Sequence, residues 1–139
     1  STAPRRSVRE SISTFLYRPV SAAAPRFLAK SGVVTDKIVV LTTCGSEEEA
    51  RKVAHGLVEG RLAACVNVAP GVHSIYRWKG SVEEAGEWLL VIKTRRDLFP
   101  GVREAITRLH SYELPECVAL PVADGSEAYL AWIDSETSG

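Results

Sequence analysis

Apolar and polar positions along residues 37–139 change period several times, and each change marks an element. "KIVVLTT" (37–43) is a short β-branched run and predicts a strand. From Ser46 onward Ala50, Val53, Ala54, Leu57 and Val58 recur on one face, which predicts an amphipathic helix. Ser46 and Glu49 have capping-box spacing, Glu47 and Glu48 place negative charge in the first turn, and Gly60 stops the helix. "LAACVNV" (62–68) predicts a second strand ended by Pro70-Gly71, while "HSIYRWKG" and "EWLLVIKT" predict a hairpin joined by the loop "SVEEAG". Asp97 is placed to cap a second helix with the apolar face Leu98, Val102, Ala105, Ile106 and Leu109. "CVALPV" (117–122) predicts the last strand, and a closing helix from about Ser126 is expected to bury Tyr129, Trp132 and Ile133.

The resulting order is β-α-β-β-β-α-β-α. Merging the hairpin with its neighbouring strand leaves β-α-β-β-α-β, a ferredoxin-like α+β sandwich with an antiparallel sheet and an extra C-terminal helix. A sheet covered on one face should alternate apolar with polar residues. These strands do not: Trp88, Leu90 and Ile92 oppose Leu89 and Val91, and Ile38 and Val40 oppose Val39 and Leu41. Too few helices exist to cover a second face, so packing of sheet against sheet between copies is expected.

Residues 1–36 are different material, rich in Ser, Ala and Arg, poor in acids and interrupted by prolines. They hold six Lys/Arg against Glu10 and Asp36, a net of +4, so residues 37–139 hold eleven against fifteen, a net of −4. The first segment has the composition of an organellar transit peptide or of a disordered tail. The domain is acidic and without a basic patch, which argues against nucleic acid, where phosphate neutralisation dominates affinity. No apolar run approaches the roughly 18 residues of a membrane span.

Cys44, Cys65 and Cys117 are widely spaced and form no CxxC, so neither a zinc ribbon nor a thioredoxin-type motif is available. Cys44, before a helix N-terminus and beside three glutamates, is a candidate soft-metal ligand, whereas Cys65 and Cys117 read as strand core. In "HSYELPE" (110–116) His110 ends the second helix. It is either a cap, favoured there by the helix dipole, or a cation ligand. Pro115 forces an extended path into the last strand and leaves Tyr112 and Glu116 at the sheet's end. His55 and His73 read as solvated or unpartnered, and Glu83, Glu84 and Glu87 either as a solvated loop or as hard oxygen ligands near a subunit boundary. Lys93, in "LLVIK", needs an anion, and Glu87 or Glu116 is its expected partner.

"LAACVNVAPGVHSIYRWKG", "EWLLVIKT", "HSYELPE" and "AYLAWI" together resemble the CutA family of divalent-cation tolerance proteins, over about Lys37 to Ile133. The resemblance implies a ferredoxin-like fold, a homotrimer with sheets packed inward, and association with Cu(II) and other divalent cations. It implies no established catalytic reaction. Plant members carry a plastid-targeting extension, which agrees with the segment before the domain and implies a chloroplast protein. Carried over by position, the family's histidine is His110, followed by Tyr112, Pro115 and Glu116, and Trp78 and Lys93 match residues near the cleft between subunits. Leu109 and Ser111 stand where some members have a second histidine and a proline. Thr42 stands where some have a cysteine, with Cys44 two residues later and expected to face the loop. The rival reading is a PII-like trimeric sensor of a nucleotide or other small ligand, which shares the fold but uses a long basic loop; the connection at 79–86 is short and acidic. Removing residues 1–33 is expected to shift the melting temperature by only a few degrees. A large loss on truncation, measured by calorimetry, would show that the segment packs on the domain.

Overall fold

The computed structural model describes residues 35–139. Its elements are β1 (Lys37–Cys44), α1 (Glu47–Glu59), β2 (Cys65–Trp78), β3 (Ser81–Arg95), α2 (Phe99–Leu109), β4 (Val118–Pro121) and α3 (Glu127–Thr137), with a 3-10 turn at Arg96–Leu98 before α2. Residues 1–36, expected to be a transit peptide or disordered tail, lie outside the described residues apart from the last two. Thr35 Oγ1 donates to Val122 O at 2.6 Å, and Asp36 O accepts from Arg96 N at 2.7 Å.

The sheet order is β2-β3-β1-β4, antiparallel at every pairing. This is the ferredoxin-like arrangement expected from the element order. Ile38, Val40, Thr42 and Cys44 on β1 pair across to Thr94, Ile92, Leu90 and Trp88 on β3. Their common face meets Ala50, Val53, Leu57 of α1 and Val102, Ala105, Ile106 of α2 in one buried core. The two helices approach closely at Gly56, where an added Cβ would stand 2.8 Å from Leu109 Cδ1. That approach seats the last turn of α2 against α1.

Several elements differ from expectation for identifiable reasons. β2 does not stop at Pro70-Gly71 but runs through it to Trp78, with a bulge between Ala69 and Val72 and Gly71 at φ 77°. An edge strand tolerates a proline because its outward N–H has no ladder partner to lose. The hairpin turn is Lys79-Gly80, both at positive φ, a two-residue primed turn. "SVEEAG" is therefore strand, with Trp78 opposite Ser81 and Ser74 opposite Ala85. Asp97 does not cap α2: the helix begins at Phe99 after an N-cap Leu98 without a side-chain cap, and Asp97 pairs with Arg95 Nε at 3.2 Å. Pro100 sets that start, since its missing N–H costs nothing in a first turn.

The closing helix buries Ile133, while Tyr129 and Trp132 remain 43% and 40% exposed. The sheet's second face is thus not left entirely to another copy. α3 lies over one end of it: Lys37, on that face, is buried and pairs with Asp134 at 3.1 Å and with Asp36. Burial alone would lower the Lys37 ammonium, but the hydrogen bonds to Asp36 and Asp134 outweigh it and its pKa is raised. The opposite end of the sheet is bare. β1 ends opposite Trp88, so Val72–Trp78 and Ser81–Glu87 project as a two-stranded arm carrying Ile75 and Val82, 66% and 61% exposed.

Gly56→Val should destabilise the domain by about 1–3 kcal/mol, the usual cost of overpacking, because the branched side chain meets Leu109. Denaturant unfolding of the variant checks this.

Candidate metal centre

The end of α2 meets the end of β1 in the one group of three or more donor side chains at metal-binding separation among the described residues. Cys44 Sγ, a carboxylate oxygen of Glu49 and a ring nitrogen of His110 lie within 4.8 Å of one another. Each arrives by a different local cause. Cys44 is the last residue of β1 and points into the core with Val40 and Thr42, not into the loop as expected. The period of two along the strand requires that orientation. Glu49 sits in the first turn of α1, where Ser46 Oγ accepts its N–H at 3.2 Å. His110 is the C-cap of α2, in extended conformation, with its N–H bonded to Ile106 O.

The imidazole is fully buried and hydrogen-bonded on both sides. Thr43 O can only accept, so the 2.7 Å contact makes Nε2 the protonated nitrogen. Tyr112 N–H then donates to Nδ1 at 3.1 Å. Cys44 Sγ stands 3.6 Å from Nε2, and Glu49 Oε1 stands 3.2 Å from Nδ1. The Tyr112 ring leans on the imidazole at 4.4 Å, and its hydroxyl donates to Glu87 Oε2 at 2.6 Å. Burial, then the negative charges of Glu49 and Glu87, push the Cys44 thiol up to about 12. The helix N-terminus is outweighed, and the thiol stays protonated at neutral pH until a cation displaces the proton.

The donor set of imidazole nitrogen, thiol sulfur and carboxylate oxygen suits borderline and soft divalent cations such as copper and zinc. The 3.6 Å between Sγ and Nε2 compares with ~3.5 Å for sulfur and nitrogen on one tetrahedral ion at ordinary bond lengths. Cys44 and His110 therefore fit a metal ion, with Glu49 beside the other ring nitrogen.

The structure brings His110, Cys44 and Tyr112 together, with Glu116 on the part-buried loop that follows. It does not bring Lys93 or Trp78 to them within one chain. Lys93 lies opposite Val39, five positions past Trp88 and so about 16 Å away along the strand. Its ammonium meets Asn67 Oδ1 and, at 3.8 Å, Cys65 Sγ. Glu87, an expected partner of Lys93, lies six residues away along the same strand and is buried against Tyr112 instead. Trp78 is at the tip of the arm. His73, read as unpartnered, contacts Glu84 Oε1 across the arm at 2.6 Å.

Glu49 and Ser111 were not legible as site residues. Glu49 looked like half of a capping box, yet its carboxylate turns to Ser111, accepting from N at 2.6 Å and from Oγ at 2.8 Å. Sixty-two residues separate the partners, so no local pattern could show the contact.

A ferredoxin-like sheet with a histidine–cysteine–carboxylate cluster at its end defines an α+β protein with a candidate cation site. The chain belongs to the CutA1 divalent ion tolerance protein family, whose profile matches residues 38–136. It is 54% identical over 99 residues to the divalent-cation tolerance protein CutA of Thermus thermophilus, covering 71% of this chain and 96% of that one. Protein CutA, chloroplastic, of Arabidopsis thaliana is 40% identical over 110 residues, 79% of this chain and 60% of that protein's length. The crystal structure of CutA1 from Oryza sativa superposes with a TM-score of 0.73 at 38% identity, covering 76% of this chain and 96% of that one. The family's name describes divalent ion tolerance and no reaction.

Because the Cys44 thiol is raised from its ordinary 9.0 to about 12, the unfolded chain loses this proton first as pH rises. Folding stability should decline between those two values, by at most ~4 kcal/mol from this group. The raised Cys117 and Tyr129 act in the same direction. Urea unfolding from pH 8 to pH 11 should show a shallower decline for Cys44→Ala than for the parent.

Proposed function

We propose that this protein is a non-enzymatic homotrimer that binds divalent cations, copper foremost, and serves metal ion tolerance and homeostasis in the chloroplast. The observation that carries the cation reading is the cluster of Cys44, Glu49 and His110 within 4.8 Å. Copper stands highest among the divalent first-row metals for nitrogen and sulfur donors, with zinc next to it. The names of the bacterial and plant relatives support cation tolerance, and the Arabidopsis relative's name, with the basic, Ser- and Arg-rich segment before the domain, supports the chloroplast. That segment is then the transit peptide.

The trimer reading rests on the arm and the open edges. A two-stranded ribbon alone in water is marginal, and this one exposes Ile75 and Val82 while Ser81–Glu87 have no partner from β1. β4 adds Val118 and Leu120, about half exposed, on the other edge of the sheet. Copies packed around an axis would cover all of these. In that assembly Trp78 and Lys93 of one copy and Tyr112 and Glu116 of another can line a shared cleft, which one chain by itself does not form. A PII-like nucleotide sensor is disfavoured: the β2–β3 connection is the tight Lys79-Gly80 turn, with no loop to enclose a nucleotide.

Calorimetric titration with Cu(II), Zn(II) and ATP tests the reading. His110→Gln, whose amide can still donate to Thr43 O, should lower copper affinity about tenfold or more while the fold persists. Equal copper binding by the variant, or ATP binding without metal binding, would overturn the proposal. For assembly, light scattering should return a trimer, and Ile75→Asp with Val82→Asp should shift it toward monomer; a monomeric parent would refute the homotrimer.

A further inference from the structure

The two ring nitrogens of His110 face different chemistry. Thr43 O and Cys44 Sγ lie on the Nε2 side at 2.7 and 3.6 Å, and Glu49 Oε1 lies 3.2 Å from Nδ1. A cation bonded to one ring nitrogen sits beyond that nitrogen in the ring plane. Cys44 and Glu49 therefore cannot both share it with His110 unless the ring moves, and one of them must take another role.

Ser111 decides which. Both Glu49 oxygens are held, Oε1 by Ser111 N–H at 2.6 Å and Oε2 by Ser111 Oγ–H at 2.8 Å. The carboxylate is fixed where it would accept a proton from Nδ1. Oε1 lies 3.2 Å from Nδ1, on the side of the ring away from Thr43 O and Cys44. A cation at Nε2 would displace the proton donated to Thr43 O, the ring would carry its proton on Nδ1, and Nδ1 would exchange the Tyr112 N–H it accepts for donation to Glu49. The arrangement becomes the carboxylate–histidine–metal chain that orients ligating histidines. One proton leaves for solvent, from the Cys44 thiol, as sulfur bonds the metal.

We propose that Ser111 is the specificity-determining residue of the cation site. By latching Glu49 as the outer hydrogen-bond partner of His110, it leaves Nε2 and the Cys44 thiolate as the direct ligands. The site then selects thiophilic cations over oxygen-seeking ones such as Mn(II). This rests on the cation reading of the preceding section and adds which donors the ion meets and what sets that choice.

The test uses the full chain with Co(II), Cd(II) and Mn(II) as probes. Ser111→Pro removes both donors to Glu49, and the extended conformation of His110, φ −93° and ψ 143°, is one that precedes proline readily. Ser111→Ala removes only the hydroxyl and serves if the proline variant folds poorly. The parent should show a thiolate-to-Co(II) charge-transfer band that Cys44→Ser abolishes. Its preference for Cd(II) over Mn(II), measured by competition, should fall about tenfold in Ser111→Pro and less in Ser111→Ala, as Glu49 becomes free to bind. Glu49→Gln should weaken Co(II) binding by about 10–100-fold while keeping the band, as loss of an outer partner does. An unchanged Cd(II)/Mn(II) ratio in a folded Ser111→Pro variant overturns the role of Ser111 and leaves the cation reading standing, as does Co(II) binding that needs His110 but shows no thiolate band. Failure of all three ions to bind the parent overturns both.

Discussion

The hydrogen bond from His110 Nε2–H to the Thr43 carbonyl joins the end of α2 to the end of β1, and the geometry of the candidate site depends on it. The bond is buried at both ends and spans 67 positions in sequence. It selects the ring tautomer, aims Nε2 toward Cys44 and presents Nδ1 to Glu49. An unpaired imidazole or carbonyl at this depth would cost a few kcal/mol, so the loop after α2 has little freedom to place the ring elsewhere. The packing beneath supports it: Gly56 lets Leu109 settle against α1, and Ile106 and Val102 anchor the same helix in the core.

Around this joint the polar groups form two chains. Tyr112 links the imidazole to the buried Glu87 on β3, and Ser111 links it to Glu49 on α1. A short peptide loop thus reads three elements of the fold at once. Cys44 is protonated and buried beside two carboxylates, an environment that resists a bare thiolate but rewards a positive ion in its place.

Core and assembly draw on the same strands. One face of β1 and β3 packs on α1 and α2, and α3 with the Lys37–Asp134 pair occupies one end of the other. What remains bare is the arm and the edge at β4. This division gives the apolar residues of both strand faces a use. It also places the candidate centre at the sheet end nearest the arm.

Residues 37–139 by themselves determined the order of elements, the two core helices and the ferredoxin-like pairing, because hydrophobic period and helix-ending glycine are local signals. His110 was legible as cap or ligand for the same reason, and the family resemblance pointed to divalent cations. Local signals failed where a neighbour in space overruled them. Pro70-Gly71 looked like a strand end until its place at the sheet's edge removed the cost of a proline. Lys93 looked like a partner for Glu87 until one unbroken extended strand held them about 20 Å apart. Glu49 looked like a cap, and Ser111 like nothing in particular. Only the tertiary structure turned one toward the other, since a contact 62 residues long exists once the core has brought α1 and α2 together and not before.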